Sequence, residues 1–223
     1  MIELIDTYWV YFLVGQYPHG PLGGLSLTVL LAALAMLLAM PFGLVLGLGR
    51  VSPLTVVRWP VTALVFVVRG VPLLMVVFWA YFFLPSLTGH KTDQFTTMLA
   101  ALVISVSAYL AEIVRAGILA VPRGQWDSAR SLGLGYFQTL RWVVLPQSLR
   151  HMLPSLVNQF VATVKATSLG YIIGLTEAAF VATQINTQVF TRSAEVYGLL
   201  ALTFFVLCFS LSRVAFWVER RWR

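Results

Sequence analysis

Charged residues are absent from three long stretches of the chain, residues 7–49, 70–90 and 94–111. A helix needs about 20 predominantly apolar residues to cross the hydrocarbon core of a membrane. The alternation of long apolar runs and polar breaks therefore predicts an all-α, polytopic membrane protein. The five predicted transmembrane helices are residues 22–48, 60–84, 95–119, 154–176 and 196–217.

The basic residues are distributed unevenly over the predicted loops. Lys and Arg near the ends of spans favour the cytoplasmic side, and an odd number of spans places the two termini on opposite sides. With the N-terminus outside, only Lys91 and Arg192 face the exterior. Eleven arginines then face the cytoplasm: Arg50, Arg58, Arg115, Arg123, Arg130, Arg141, Arg150, Arg213, Arg220, Arg221 and Arg223. The charge pattern predicts an N-out, C-in orientation.

Three segments lie outside the predicted spans at the ends and in the middle of the chain. Residues 1–21 are rich in Tyr and Trp and are predicted to lie at the outer, periplasmic interface. They carry Glu3 and Asp6 and lack a basic n-region, so we expect no cleavable signal peptide. Residues 120–153 form a cytoplasmic loop, and residues 218–223 form a basic cytoplasmic tail.

Composition agrees with a membrane protein. The chain is 59% hydrophobic and 10% charged, whereas soluble domains are about 25% charged. The net charge of +7 comes from residues that set orientation, so it does not indicate nucleic-acid binding. Cys208 lies in an apolar run and is predicted to be a small buried hydrophobe. His19, His90 and His151 are too scattered in sequence to suggest a metal site.

The loop of residues 120–153 contains a segment with helical periodicity. Its apolar residues recur at steps of three or four: Trp126, Ala129, Leu132, Tyr136, Leu140 and Val143. Gly133 and Gly135 interrupt the pattern, because glycine weakens helices and permits positive φ. Two short amphipathic helices joined at a glycine bend are predicted, and Leu145-Pro146 is predicted to end the second. These helices could lie among the lipid headgroups, with their arginines facing the phosphate groups. Alternatively, they could protrude toward a soluble partner.

A series of residues with fixed spacing runs through this loop. Asp127-Ser128-Ala129 is followed after three residues by Gly133, then after nine by Val143, one residue before Leu145-Pro146. The series resembles the EAA loop (Glu-Ala-Ala, x3, Gly, x9, Ile, x, Leu-Pro) of permease subunits in ATP-binding-cassette (ABC) importers. Over roughly residues 20–220 the chain resembles, more narrowly, bacterial permeases of the histidine, glutamine and glutamate type. That likeness rests on RGVPLL (69–74), AYLAEIVRAGILAVPRGQ (108–125), LPQSLR (145–150) and KATSL (165–169).

The chain departs from the family's pattern at four positions. Asp127 stands where the family has Glu, Ser128 where it has Ala, and Val143 where it has Ile; these changes are mild. Ala166 stands where relatives commonly carry Asp or Asn. This last change removes a polar group near the predicted centre of the membrane and bears on substrate choice.

The resemblance implies a type I ABC importer permease in the bacterial inner membrane. It implies that the loop is a coupling helix seated in a cleft of a separate ATP-binding subunit. The implied ATPase-coupling residues are Asp127, Ser128, Ala129, Gly133, Leu145 and Pro146. The carboxylate of Asp127 is expected in the first turn of this helix, where the helix dipole favours it. Two permease subunits, identical or paralogous, would enclose the path, and an external binding protein would deliver the amino acid.

The chain carries no sequence signal of its own for ATP or another cofactor. It lacks the G-x-x-x-x-G-K-[ST] phosphate loop and the H-E-x-x-H and G-x-S-x-G motifs. We therefore expect no enzyme activity in this chain, with ATP and Mg²⁺ bound by the partner ATPase. A passive channel or carrier with a lipid-anchoring loop, and a membrane scaffold without transport, are the alternatives. The path of residues 177–195 is open between external loop, surface helix and re-entrant segment.

Two basic residues are predicted to lie deep inside spans. Arg69 and Lys165 are each about ten residues from the cytoplasmic end of a span, which corresponds to roughly 15 Å. A charge at that depth is costly and indicates either a transport path or a bond between helices. Thr167 and Ser168 can form hydrogen bonds beside Lys165, and Glu112 is a candidate partner for both cations.

The predicted substrate-pathway residues are Arg69, Lys165, Thr167, Ser168 and Glu112. For Arg69 and Lys165 the pathway role is favoured, whereas for Glu112 a structural pair with Arg115 is favoured. In the pathway, Arg69 and Lys165 would meet the α-carboxylate of an amino acid and the side-chain carboxylate of an acidic one. A cationic lining without an acid or amide at Ala166 favours an acidic or neutral substrate over a basic one. Gly70 and Pro72 predict a kink directly after Arg69.

Overall fold

Helices form the whole architecture of the described part of the chain, which comprises residues 2–89 and 93–222 of a computed structural model. The α-helices are α1 (Ile2–Val14), α2 (Gly24–Val51), α3 (Thr55–Gly70), α4 (Leu73–Phe78), α5 (Leu84–Thr88), α6 (Gln94–Leu119), α7 (Arg123–Ser131), α8 (Tyr136–Thr139), α9 (Leu145–Ala166), α10 (Ala178–Gln188) and α11 (Ser193–Trp222). Two π-helical turns (Trp79–Phe83 and Leu140–Val144) and a 3-10 helix (Thr167–Ile173) join some of them. The all-α class is thus confirmed for these ranges. His90, Lys91 and Arg223, and the side chains of Glu3, Arg220 and Arg221, lie outside the described part.

Among the described residues, three helices are long and apolar enough to cross a membrane: α2, α6 and Ser193–Val214 within α11. Helix α3 and the following Leu73–Leu87 make a fourth candidate if they count as one span, bent by 91°. The bend falls at Val71-Pro72, so the kink predicted from Gly70 and Pro72 is confirmed. It arises there because the ring of Pro72 cannot continue the hydrogen-bonding of α3.

The fourth predicted span, residues 154–176, differs from the structure. Helix α9 begins earlier, at Leu145, and ends at Ala166, where the chain continues as a 3-10 helix to Ile173. It carries Arg150 and Lys165 and is not among the helices that are apolar enough to span. A count of five crossings, and the N-out orientation, therefore stay predictions.

Helices α2 and α6 pack against each other along a row of small residues. Ala39, Gly43 and Gly47 follow one another at intervals of four and are buried. A Cβ atom on Gly43 would lie 2.4 Å from Leu110 Cβ, and one on Gly47 would lie 2.5 Å from Val114 Cβ. Small residues let helix backbones approach this closely, which is how membrane helices gain packing energy in the absence of water. The pair forms the centre of the molecule.

Both π-helical turns stand directly before a Leu-Pro pair. The amide of Leu84 donates to the carbonyl of Trp79, and that of Leu145 donates to the carbonyl of Leu140. A proline inside an α-helix lacks a donor and collides with the carbonyl four residues earlier; a widened turn relieves this collision. The prediction that Leu145-Pro146 ends a short helix is therefore wrong, since the chain stays helical from Tyr136 through Ala166.

The N-terminal helix and the segment after α9 pack together at the other end of the molecule. Phe12 of α1 lies in a buried cluster with Val181, Ile185 and Val196. In the segment 177–195, whose path the sequence left open, the chain forms helix α10. The buried side chain of Glu177 caps the start of this helix: it accepts hydrogen bonds from the amides of Ala179 and Phe180, at 2.9 and 3.0 Å.

Cys208 was predicted to be buried and is instead partly exposed. The reason is that α11 leaves one side uncovered: Phe205 and Phe209, one turn before Cys208 and next to it, are also largely exposed. Positions that face lipid and positions in a protein core both favour apolar residues. The apolar run around Cys208 therefore could not show which of the two environments it occupies.

Candidate functional site

A glycine joint separates α7 from the next helix in the loop. Gly133 has φ +85°, its amide donates to the carbonyl of Arg130 at 2.9 Å, and the amide of Leu134 donates to the carbonyl of Ala129 at 3.2 Å. These two bonds form a Schellman motif, which ends a helix with a left-handed residue. The predicted glycine bend between two helices is confirmed, although only the first helix is short.

The inner side of this hairpin (residues 123–146, the "loop hairpin") is fixed to the helix ends above it. The ring of Trp126 stacks on that of Tyr136, with 5.6 Å between ring centroids. The Tyr136 hydroxyl donates to the carbonyl of Val51 at 3.0 Å, and burial raises the pKa of this phenol. Ala129 and Val144 are buried beneath them. The loop hairpin is therefore attached to the end of α2.

The outer side of the loop hairpin combines polar and large apolar side chains. Asp127, Ser128 and Arg130 are exposed, as are Phe137 and Trp142. Leu132, which was predicted to lie on the buried apolar face, is 83% exposed. The helical periodicity fails at this position because α7 ends at Ser131. Exposed apolar side chains among charges are typical of a surface that contacts a protein or a membrane.

The six predicted coupling residues do not share one environment. Asp127, Ser128, Gly133 and Pro146 are exposed, Leu145 is half-buried and Ala129 is buried. The expectation that Asp127 lies in the first turn is wrong, because α7 already begins at Arg123, after Pro122. Pro122 is the N-cap residue of α7, and Asp127 is consequently the fifth residue of the helix.

A second group of charges connects α2, α3 and α6 around one carboxylate. Glu112 Oε1 accepts hydrogen bonds from Arg115, at 2.5 Å from Nη2 and 3.1 Å from Nε. Its Oε2 accepts from Arg50, and from Arg69 Nη1 at 3.4 Å. The structural pair Glu112–Arg115 is thus present, and Arg69 joins it. Three arginines meet a single acidic side chain that is 26% exposed.

Sequence reasoning missed Arg50 as a partner of Glu112, because an arginine at the end of a span is also explained by the orientation of the chain in the membrane. Helices α2 and α6 run in the same direction, since Gly43 lies against Leu110 and Gly47 against Val114. The end of α2 therefore lies beside the last two turns of α6, which begin at Glu112. This relation could have paired Arg50 with Glu112 from sequence.

A cavity of about 480 Å³ opens beside Arg69 at the break after α3. The Arg69 guanidinium lies over the ring of Tyr109, 5.1 Å from its centroid. The polar or pathway-relevant lining residues are Arg69, Ser105, Tyr109, Gln159, Thr163 and Ala166. Sequence reasoning missed Ser105 and Tyr109, although Tyr109 follows Ser105 by four residues and Glu112 follows Tyr109 by three, which places all three on one face of α6.

Other residues predicted for the pathway are not in this cavity. Lys165 is exposed elsewhere on α9. Thr167 is buried and its hydroxyl donates to the carbonyl of Val164 at 2.8 Å, while the hydroxyl of Ser168 donates to the carbonyl of Lys165 at 2.7 Å. The structure therefore brings Arg69 and Glu112 together and separates them from Lys165, Thr167 and Ser168.

The described part of the chain combines apolar helices, a polar cavity at a broken helix and a structured hairpin at one end. The chain belongs to the family of binding-protein-dependent transport system inner membrane components, whose pattern matches residues 39–223. This confirms the resemblance to permeases of amino-acid ABC transporters.

Relatives of known annotation agree with this assignment. The chain is 37% identical over 220 residues to the inner membrane amino-acid ABC transporter permease protein YhdY of Escherichia coli K12, covering 96% of this chain and 59% of that one. It is 34% identical to the L-cystine transport system permease protein TcyB of Bacillus subtilis 168, covering 89% and 85%. The chain thus spans well under two thirds of YhdY but most of TcyB.

A solved structure shares the fold. The crystal structure of an amino acid ABC transporter with histidines superposes with a TM-score of 0.83 at 34% identity, covering 89% of this chain and 92% of that chain.

Proposed function

We propose that this chain is the membrane-spanning permease subunit of an ATP-driven amino-acid importer. Two such subunits, identical or paralogous, would enclose the path, a separate ATPase would bind ATP and Mg²⁺, and an external binding protein would deliver the substrate. The observation that carries the proposal is the loop hairpin, in which the family's residue spacing coincides with a rigid, glycine-jointed surface. The family membership and the likeness to an amino acid ABC transporter support it.

In this proposal the loop hairpin docks into the ATPase. Asp127, Ser128 and Gly133 would touch the partner, with Pro146 at the edge of the contact. Ala129 and Leu145 would hold the hairpin against the helices from beneath. Because Tyr136 is bonded to the end of α2, a displacement of the hairpin would be passed directly to a span. In this proposal the hairpin lies in the cytoplasm, and with five crossings the N-terminus would lie outside.

The substrate pathway is proposed to pass the cavity beside Arg69. The guanidinium of Arg69, held by Tyr109 and Glu112, would meet the carboxylate of an amino acid, and Gln159 would offer a neutral hydrogen-bonding group. Lys165 could take part only where the path runs along the exposed side of α9, which a second subunit would cover. Thr167 is buried, and it lies with Ser168 in the 3-10 helix after α9, so in this proposal both support Lys165 and do not line the path. The substrate class that fits this lining is a polar, acidic or neutral amino acid.

A passive channel or carrier with a lipid-anchoring loop is the second candidate. The large exposed side chains of Leu132, Phe137 and Trp142 favour it, because such groups also suit the headgroup layer. Copurification separates the two: an importer subunit should leave the membrane with an ATPase bound through residues 126–146, whereas crosslinks from those residues to lipid alone would support the second candidate.

The proposed function is tested by reconstituting the purified assembly in lipid vesicles with its binding protein and measuring ATP turnover. We expect acidic or neutral amino acids to stimulate turnover at concentrations where arginine and lysine do not. Preferential stimulation by arginine or lysine would contradict the substrate class, and the absence of any stimulated ATPase would contradict the importer itself.

Ala166→Asp is expected to shift selectivity away from acidic amino acids. Ala166 lines the same cavity as Arg69, so a carboxylate there would neutralise Arg69 and repel an acidic side chain. A loss of about 1.4 kcal/mol, or tenfold in affinity, is expected for an acidic substrate. Competition binding and uptake measure this, with Ala166→Asn as the control of similar size without the charge. Equal behaviour of the two variants would exclude a charge effect.

A further inference from the structure

A second cleft, of about 540 Å³, lies on the other side of the arginine cluster from the substrate cavity. It is lined by Arg50, Arg58, Trp59, Thr62, Ala63, Phe66 and Arg115. Of the residues that line this cleft, only Arg50 and Arg115 also bond to Glu112. No residue of the cleft lines the cavity beside Arg69. The cleft is therefore a separate site that the transport path does not explain.

The cleft has an excess of positive charge. Arg50, Arg69 and Arg115 share the single carboxylate of Glu112, and Arg58 has no ion pair within the described residues. Arg50 is only 12% exposed, and its Nε has no hydrogen-bond partner within the same ranges. One carboxylate cannot neutralise three guanidinium groups, and Arg58 adds a further positive charge, so the cleft favours an anionic partner.

The three arginines of the cleft all lie near helix ends on the same side of the molecule. Arg50 is next to the last residue of α2, Arg58 is the fourth residue of α3, and Arg115 is four residues from the end of α6. At 1.5 Å per residue they all lie within about 6 Å of helix ends. These ends face the loop hairpin, since Val51 accepts the bond from Tyr136. Where these helices cross a membrane, arginines so close to the helix ends lie at the depth of lipid headgroups.

The apolar part of the cleft continues from that surface toward the membrane interior. Trp59 is 70% exposed and Phe66 is 79% exposed. Trp59 follows Arg58 directly, where indole rings prefer the interface, and Phe66 lies seven residues further along α3, about 10 Å deeper. The arginines suit the phosphate headgroup of a phospholipid, and the exposed aromatic surface below them suits its acyl chains.

We propose that this cleft binds one anionic phospholipid of the membrane leaflet on the side of the loop hairpin. Arg50, Arg58 and Arg115 contact the phosphate, and an acyl chain lies along Trp59 and Phe66. Basic pockets between membrane helices are known to hold anionic headgroups by this combination of charge and apolar contact. The proposal needs α2, α3 and α6 to lie in a membrane and does not depend on which substrate the protein transports.

The test is native mass spectrometry of the purified full-length assembly, equilibrated with phosphatidylglycerol and phosphatidylcholine of equal chain length. We expect one phosphatidylglycerol to be retained per chain, in preference to phosphatidylcholine. Arg58→Gln should lower its affinity about fivefold, without changing the melting temperature, since Arg58 takes no part in the bonds to Glu112. Arg213→Gln is the matched control: Arg213 is exposed on α11, beside Phe209 and outside the cleft, so retention should be unchanged.

Four outcomes would overturn the proposal. Equal retention of the two lipids, or equal losses in Arg58→Gln and Arg213→Gln, would show only general attraction to the membrane surface. Displacement of phosphatidylglycerol by an excess of inorganic phosphate would show a phosphate site without a lipid. Efficient disulfide formation between two copies carrying Trp59→Cys in native membranes would show that a second permease subunit, instead of lipid, covers the cleft.

Discussion

Gly133→Asp is expected to abolish ATP-driven uptake while the permease still folds and reaches the membrane. At φ +85° a residue with a Cβ loses about 1–2 kcal/mol, which is too little to unfold a protein of this size. A Cβ on Gly133 meets no other atom of the chain within 4 Å, so the damage is not internal. The new side chain and charge instead alter the surface that we propose docks into the ATPase.

The measurement is substrate-stimulated ATP turnover and uptake in reconstituted vesicles. We expect Gly133→Asp to reduce uptake to background and to remove the response of the ATPase to the loaded binding protein. Gly124→Asp is the matched control, since it adds the same charge to the first turn of α7, where space is open and φ is ordinary. Gly133→Asn, which tolerates a left-handed backbone, separates strain from charge. Normal uptake by Gly133→Asp at normal expression would contradict a docking role.

Helices that consist of long apolar runs could be predicted from the sequence. The long charge-free runs located α2 and α6, and Gly70 with Pro72 located the break after α3, because both signals reflect backbone and lipid chemistry directly. The start of α9 was missed because Leu145-Pro146 has the pattern of a helix end. Only the wide turn at Leu140–Val144 shows how the chain accommodates that proline.

Part of the candidate site could also be predicted from local chemistry. Gly133 was placed at a bend because few other residues adopt a positive φ, and Arg69 and Glu112 stood out as charges within spans. The depth of Lys165 was derived in the same way, but depth does not give the direction in which a side chain leaves its helix. Lys165 and Arg69 therefore share a predicted level in the membrane and face different surroundings. Three-dimensional packing alone supplies that information.

Glu112→Gln is expected to destabilise the permease by about 2–3 kcal/mol. Three arginines on α2, α3 and α6 share this carboxylate. Hydrogen bonds to charged groups contribute roughly 1.5–3 kcal/mol each, and the value expected for the group is reduced because Glu112 is 26% exposed. Gln keeps one acceptor oxygen but no charge, so the three cations repel one another. For a chain of this length the loss corresponds to a fall of about 5–10 °C in melting temperature.

Thermal unfolding of the purified protein in detergent measures this change, with Asp6→Asn as a control that removes an exposed carboxylate from α1. If the role of Glu112 is to balance charge, then removing one arginine as well, in Glu112→Gln with Arg115→Gln, should recover part of the lost stability. An unchanged melting temperature with reduced uptake would instead assign Glu112 to the substrate. A double variant no more stable than Glu112→Gln would show that the bonds themselves, and not the balance of charge, hold α2, α3 and α6 together.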